Sequence, residues 1–146
     1  MKAIVIIGVL LAALTVRAQQ PDLTGIELGA TMDLHKRPSL LTRLSYSAPI
    51  GDVRIEGAGL ILFGRDGGFG FDVLLAYPIA RFEPFAGARF IVWEQSMSVG
   101  FPVGMRWIAL KSNVELTVGL SVAPTLHLTA QESDTFLFDT FIGVRF

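Results

Sequence analysis

The last twelve residues, Thr135 to Phe146, alternate strictly. Phe136, Phe138, Thr140, Ile142, Val144 and Phe146 share one side, and Leu137, Asp139, Phe141, Gly143 and Arg145 share the other. A period of two is the side-chain period of a β-strand. One face is aromatic and aliphatic; the other carries an acid, an arginine and a glycine. Such a strand fits the closing strand of a transmembrane β-barrel, because hydrocarbon requires the apolar face and closure removes the free edge.

The same period recurs upstream. A first strand over about Leu23–Leu34 sets Ile26, Leu28, Ala30 and Met32 against Glu27, Gly29, Thr31 and Asp33. A second, Leu40–Ala48, sets Leu44 and Tyr46 against Arg43, Ser45 and Ser47. In the third, Val53–Phe63, Arg54 and Glu56 oppose Val53 and Ile55, but Gly57 and Gly59 then fall on the apolar face and Leu60 and Leu62 on the polar one. A β-bulge near Gly57 is expected to repair that register. The fourth strand, Phe69–Tyr77, carries Asp72 on its polar face, and the fifth, Phe82–Val92, carries Glu83 and Arg89. The sixth, Ser98–Trp107, carries Arg106, and the seventh, Val114–Val122, carries Glu115. Gly-, Pro- and Ser-containing turns separate them, with Trp93–Ser96 read as a turn and the longest loop expected around Pro124–Asp134. With the closing strand the count is eight, and eight antiparallel neighbours close into a barrel that side chains just fill. The expected fold is all-β, an eight-stranded up-and-down antiparallel barrel.

Met1 and Lys2 precede an apolar run, Ala3–Val16, and Val16-Arg17-Ala18 resembles a small-residue cleavage site. Residues 1–18 read as a secretory signal peptide and 19–146 as one barrel domain. The remaining 2 Lys, 8 Arg and 13 acids give that domain a net charge of −3, which is no footprint for nucleic acid. There is no cysteine, so an exported fold is held without disulfides. Mean hydropathy is +0.55, yet beyond Val16 no apolar run is long enough for a membrane-spanning helix.

A soluble carrier barrel would also have one apolar face, turned inward. Three features point to the reverse. The polar faces are rich in Gly, Ala and Ser, which suit a crowded interior. Their charges are Arg, Asp and Glu, while Lys36 and Lys111 sit in turns; a confined ion-pair network favours the planar guanidinium fork. Aromatics cluster near strand ends, Tyr46, Tyr77, Phe82, Trp107 and Phe146 toward one rim and Phe63, Phe69, Phe90 and Phe136 toward the other, as in an interfacial girdle. An Arg on the lipid face near the midplane costs about 2–4 kcal/mol, so several outward would exceed a typical stability of about 5–15 kcal/mol. The inward network is therefore Glu27, Asp33, Arg43, Arg54, Glu56, Asp72, Glu83, Arg89, Arg106, Glu115, Asp139 and Arg145.

These eight amphipathic strands, with Pro84-Phe85-Ala86-Gly87-Ala88, Phe101-Pro102-Val103-Gly104-Met105-Arg106-Trp107 and the terminal Phe146, resemble the small Gram-negative outer-membrane β-barrel proteins, including porin-like barrel domains and the transmembrane part of outer membrane protein A. The resemblance covers the chain after the signal peptide. It implies residence in outer-membrane lipid and insertion by the barrel-assembly machinery, with Phe138, Ile142, Val144 and Phe146 as the assembly signal. An even strand number then places both termini in the periplasm, with the loops near Lys36, Asp66, Gln95 and Thr129 outside.

Catalytic chemistry is thinly supported. His127 could act as a base with Ser133 and Glu132 in a lipid-modifying enzyme, but no nucleophile motif accompanies it. Asp33 and His35 are two potential ligands, too few for a metal site. Gly64, Gly67 and Gly68 belong to a hairpin, since no helix follows to cradle phosphate. No cofactor and no metal are expected, and a monomer is. The reading is a non-enzymatic integral outer-membrane protein, structural or interacting, with a closed, charge-filled interior. The alternatives are a narrow ion or solute channel, a lipid-modifying enzyme and a periplasmic lipocalin-like carrier.

Overall fold

The structure is a computed structural model that describes residues 22–33, 38–64, 67–94, 96–128 and 135–146. The expected signal peptide, residues 1–18, lies outside them, as do His35, Lys36, Asp66, Gln95, Thr129, Glu132 and Ser133.

Nine strand segments occur among the described residues: β1 Leu23–Asp33, β2 Pro38–Ile50, β3 Val53–Phe63, β4 Gly68–Ala76, β5 Phe82–Trp93, β6 Met97–Gly100, β7 Val103–Lys111, β8 Glu115–His127 and β9 Thr135–Arg145. All pair antiparallel with their neighbours, and β9 pairs with β1, so the sheet closes. Segments β6 and β7 are two halves of one strand: both pair with β5 and β8, and Phe101 and Pro102 between them still bond to Pro124 and Gly87. The barrel thus has eight staves. Starting at Leu23 and stepping through the partners Ser47, Glu56 and Leu74 onward to Leu137, one circuit returns to β1 at Asp33, ten residues higher. That offset is the stagger that closure of tilted strands demands.

Two turns show why the chain reverses where it does. Gly51, at φ 60°, turns β2 into β3, a backbone state open to glycine. Between β4 and β5, Ile79 and Phe82 exchange backbone bonds of 2.7 and 2.9 Å across Ala80 (φ 55°). Closure is completed at the chain end, where Thr24 and Phe146 exchange bonds of 2.8 and 2.9 Å.

Three local expectations are corrected. There is no bulge near Gly57: β3 pairs without a shift against both neighbours, so Leu60 and Leu62 do point inward. They pack with Leu41, Ile91, Ala123 and Leu137, which makes an inward leucine favourable rather than a fault. Gly57 and Gly59 face outward, with nothing within 4 Å of where a Cβ would stand. The bulge lies instead between Ile108 and Leu110. There Ile108 N donates to Arg81 O at 2.8 Å, and Arg81 donates to the Ala109 carbonyl at 3.3 Å. Trp93 ends β5 rather than turning. Finally, β8 runs on to His127 through Pro124, which is tolerated because its carbonyl still accepts from Phe101.

The faces separate cleanly. Outward lie Ile26, Leu28, Leu44, Leu75, Leu120 and Ile142, all about half exposed. Tyr46, Tyr77, Phe82, Trp107 and Phe146 face outward at the turn end, and Phe63, Phe69 and Phe136 at the loop end. Phe90 is half-buried against Phe71, ring centroids 5.7 Å apart. No described helix is long and apolar enough to cross a membrane. A soluble carrier needs its apolar face inside, and these faces are arranged the other way round.

Candidate functional site

Strand parity decides which side chains share the lumen. Glu27, Arg43, Arg54, Glu56, Asp72, Glu83, Arg89, Arg106, Glu115, Asp139 and Arg145 are all buried, while Asp33 is half-buried at the loop end of β1.

Register then makes the first layer of pairs. Glu27 lies opposite Arg43, Asp72 opposite Arg89, Glu83 opposite Arg106 and Glu115 opposite Arg145. Directly opposed side chains on one face are neighbours, and each pair closes to an ion pair of 2.7 to 2.9 Å. The second layer crosses the lumen. Arg106 reaches Glu56 at 2.6 Å and Glu27 at 3.1 Å, on the far side of the barrel. Arg89 reaches Asp139 at 2.7 Å and Arg145 reaches Glu83 at 2.7 Å across the lumen, while Arg43 reaches along the wall to Glu56 on the next stave at 2.6 Å and to Asp72 one stave further at 3.4 Å. These contacts form one connected chain, from Asp139 through Arg89, Asp72, Arg43, Glu56, Arg106, Glu83 and Arg145 to Glu115. Arg54 stands at its turn end, 3.5 Å from Ser47 Oγ and within electrostatic range of Glu83, Glu115 and Glu56.

Arg106 is the hub. It is fully buried, contacts three carboxylates, and its guanidinium lies 4.7 Å from the Phe85 ring centre and 5.7 Å from that of Phe141. The aromatic faces add a cation–π attraction in a desolvated setting. Those two rings need room in a lumen already full of charge, and glycines on adjacent staves supply it. Gly119 faces Phe141, and a Cβ there would stand 2.2 Å from the ring; Gly104 faces Phe85, and a Cβ there would stand 2.5 Å away.

On the loop side of the charges lies the apolar layer of Leu41, Leu60, Leu62, Ile91, Ala123 and Leu137, with Trp93 against it. Ala123 is wholly buried and Ile91 nearly so. Sequence reading missed this layer as a unit, although its signal was present: Leu41 shares parity with Arg43, and Leu60 and Leu62 with Glu56. Beyond it, at the loop end, His127 lies inward on β8 opposite the fully buried Ser98, whose Oγ accepts a 3.0 Å bond from Trp93 Nε1. Ser133 and Glu132, the expected companions of His127, lie outside the described residues. Among the described residues no group of three or more His, Cys, Asp or Glu is arranged to hold a metal. The residues named for assembly, Phe138, Ile142, Val144 and Phe146, all face outward on the closing stave.

Neither a protein-family model nor a curated protein sequence matches this chain. Among solved structures, the crystal structure of Neisserial surface protein A superposes with a TM-score of 0.55. The match covers 85% of this chain and 94% of that one at 14% identity. At that identity the likeness is one of fold, and the fold is the closed eight-stranded barrel of the outer-membrane proteins that the sequence resembles.

Proposed function

We propose that the protein is an integral outer-membrane barrel whose lumen is closed, and that it serves a structural or interaction role rather than an enzymatic one. The observation that carries this reading is the inversion of the faces: a continuous belt of apolar side chains surrounds a closed ladder whose interior charges are buried against one another in ion pairs. The ten residue steps from Phe136 to Phe146, at about 3.3 Å each and tilted about 40°, span about 25 Å, the height of a lipid-facing band. Aromatic side chains at both ends of the belt match the two interfaces. The start of β1 at Leu23 and the residue after β9, Phe146, both lie at the turn end, which the reading places in the periplasm. Outer-membrane lipid and the assembly machinery are its partners, and a closed sheet with no free edge needs no second copy.

The closed lumen rests on two barriers in series. The ion-pair chain occupies the middle, where eight strands leave room for side chains alone, and the apolar layer caps it. A conducting path would have to dehydrate ions at Leu41, Leu60, Leu62 and Ile91 and also break buried pairs. The test is the electrophoretic mobility of the mature protein from isolated outer membranes, unboiled against boiled, followed by conductance in planar bilayers. A heat-dependent shift with no conductance steps supports the closed barrel. Regular steps would favour a narrow channel, and a protein soluble without detergent would end the membrane reading.

A further inference from the structure

The wall of the barrel is not equally bonded all round. Two prolines fall at one height on adjacent staves, Pro102 between β6 and β7 and Pro124 in β8. Phe101 lies opposite Pro124, and Phe101 N donates to Pro124 O at 3.0 Å. In an antiparallel pair of this kind the partner returns the bond, but proline has no N–H, so the Phe101 carbonyl receives nothing from Pro124. The same holds on the other seam of the same stave. Gly87 N donates to Pro102 O at 3.0 Å, and Pro102 cannot donate back to Gly87 O. One stave therefore lacks a ladder bond to its left and to its right at neighbouring positions.

The height of the defects matters. Phe101, Val122, Leu126 and Phe138 face outward around them, so they lie within the apolar belt. Hydrocarbon offers no water to a carbonyl without a donor. Pro84 creates a third gap, opposite Tyr77, but that pair lies past the end of β4 at the turn rim, where water can reach it. Above the double defect the stave is held to β8 by a short ladder, Ser98–His127, Val99–Leu126 and Gly100–Thr125, with one further bond from Leu128 N to Met97 O.

We infer that segment Met97–Gly100 is a built-in side opening of the barrel, which parts from β8 about the Phe101–Pro102 joint while its four-pair ladder to β5 and the other staves stay closed. Opening separates Ser98 from His127 and uncovers Arg89, which lies opposite Gly100 and holds the loop end of the ion-pair chain. The upper lumen then communicates sideways with the bilayer rather than with the loops. The bonding defects belong to the ladder itself; the argument from hydrocarbon rests on the membrane reading above.

The experiment is amide hydrogen exchange of the full mature protein in lipid nanodiscs. Segments 97–101 and 124–128 should exchange about tenfold or more faster than the paired middles of β1, β2 and β9, whose ladders are unbroken. Pro124→Ala and Pro102→Ala each restore a donor and should slow that exchange about tenfold, whereas Pro84→Ala should leave it unchanged. Because either variant could insert poorly, a staple gives an independent reading. Ser98 and His127 are directly opposed at a position between ladder-bonded pairs, where Cα atoms come close enough for a disulfide, and the chain has no other cysteine. Oxidised Ser98→Cys/His127→Cys protein should lose the fast exchange, and reduction should return it. Uniform protection of all staves in an inserted barrel overturns the inference. A protein that never enters the nanodisc fails the membrane reading instead.

Discussion

At the scale of single residues, the lumen is a place where charge is retained because every charge has company. Arg106 contacts Glu27, Glu56 and Glu83 and lies beside two aromatic rings. Replacing it with Met leaves three buried carboxylates facing one another without the cation they share. The cost of breaking such a buried set is about 3–5 kcal/mol, to be read as a fall in the urea midpoint of folding into micelles. Arg106→Lys should recover only part of it, since one ammonium cannot present the guanidinium fork to three acids. The rings impose a different, purely steric condition. Gly119→Ala would set a methyl 2.2 Å from Phe141 Cζ, and overpacking of that kind costs about 1–3 kcal/mol. Phe141→Leu in the same chain should relieve most of it, so the double variant should be less destabilised than the two single changes sum to.

At the scale of an element, β3 carries the sharpest contrast in the molecule. Its two halves look discordant: charge inward at Arg54 and Glu56, then leucine inward at Leu60 and Leu62, with bare glycine outward. The strand is regular, and the change marks the height at which the lumen passes from its ionic layer to its apolar cap. Leu60→Ala should therefore behave as a core truncation, losing about 2–5 kcal/mol. Gly57→Val should be neutral or stabilising by up to about 1 kcal/mol, because the position is open and a β-branched side chain suits a strand. Thermal midpoints of the two variants in the same detergent check the pair. If Leu60→Ala were silent and Gly57→Val harmful, the strand would be paired one residue out of register.

At the scale of the whole molecule, closure joins β1 to β9, and that seam ends on the two bonds between Thr24 and Phe146. Deleting Phe146 removes both of them along with one outward aromatic. The truncated protein should show a reduced folded fraction on an unboiled gel after refolding into lipid vesicles, while the conductance of whatever folds stays at zero, because the plug lies elsewhere. Conductance that appeared only on truncation would move the seal from the lumen to the seam.

The sequence by itself determined the strand number, most strand bounds and the inward or outward side of nearly every residue. Side-chain period is a local property of the backbone, and it survives even where the chemistry of a face changes, as Leu60 and Leu62 demonstrate. The four directly opposed ion pairs were within reach too, since they join staves adjacent in the chain or closed by its last turn. What only the tertiary structure decided is who meets across the lumen. Arg106 with Glu56, Arg89 with Asp139 and Arg145 with Glu83 lie 50 to 62 residues apart. Their meeting depends on the ten-residue stagger and the width of an eight-stave barrel, which are properties of closure and of no single strand. The apolar cap and the fit of Phe141 against Gly119 have the same origin: parity put these side chains inside, and only the closed ladder fixed their heights.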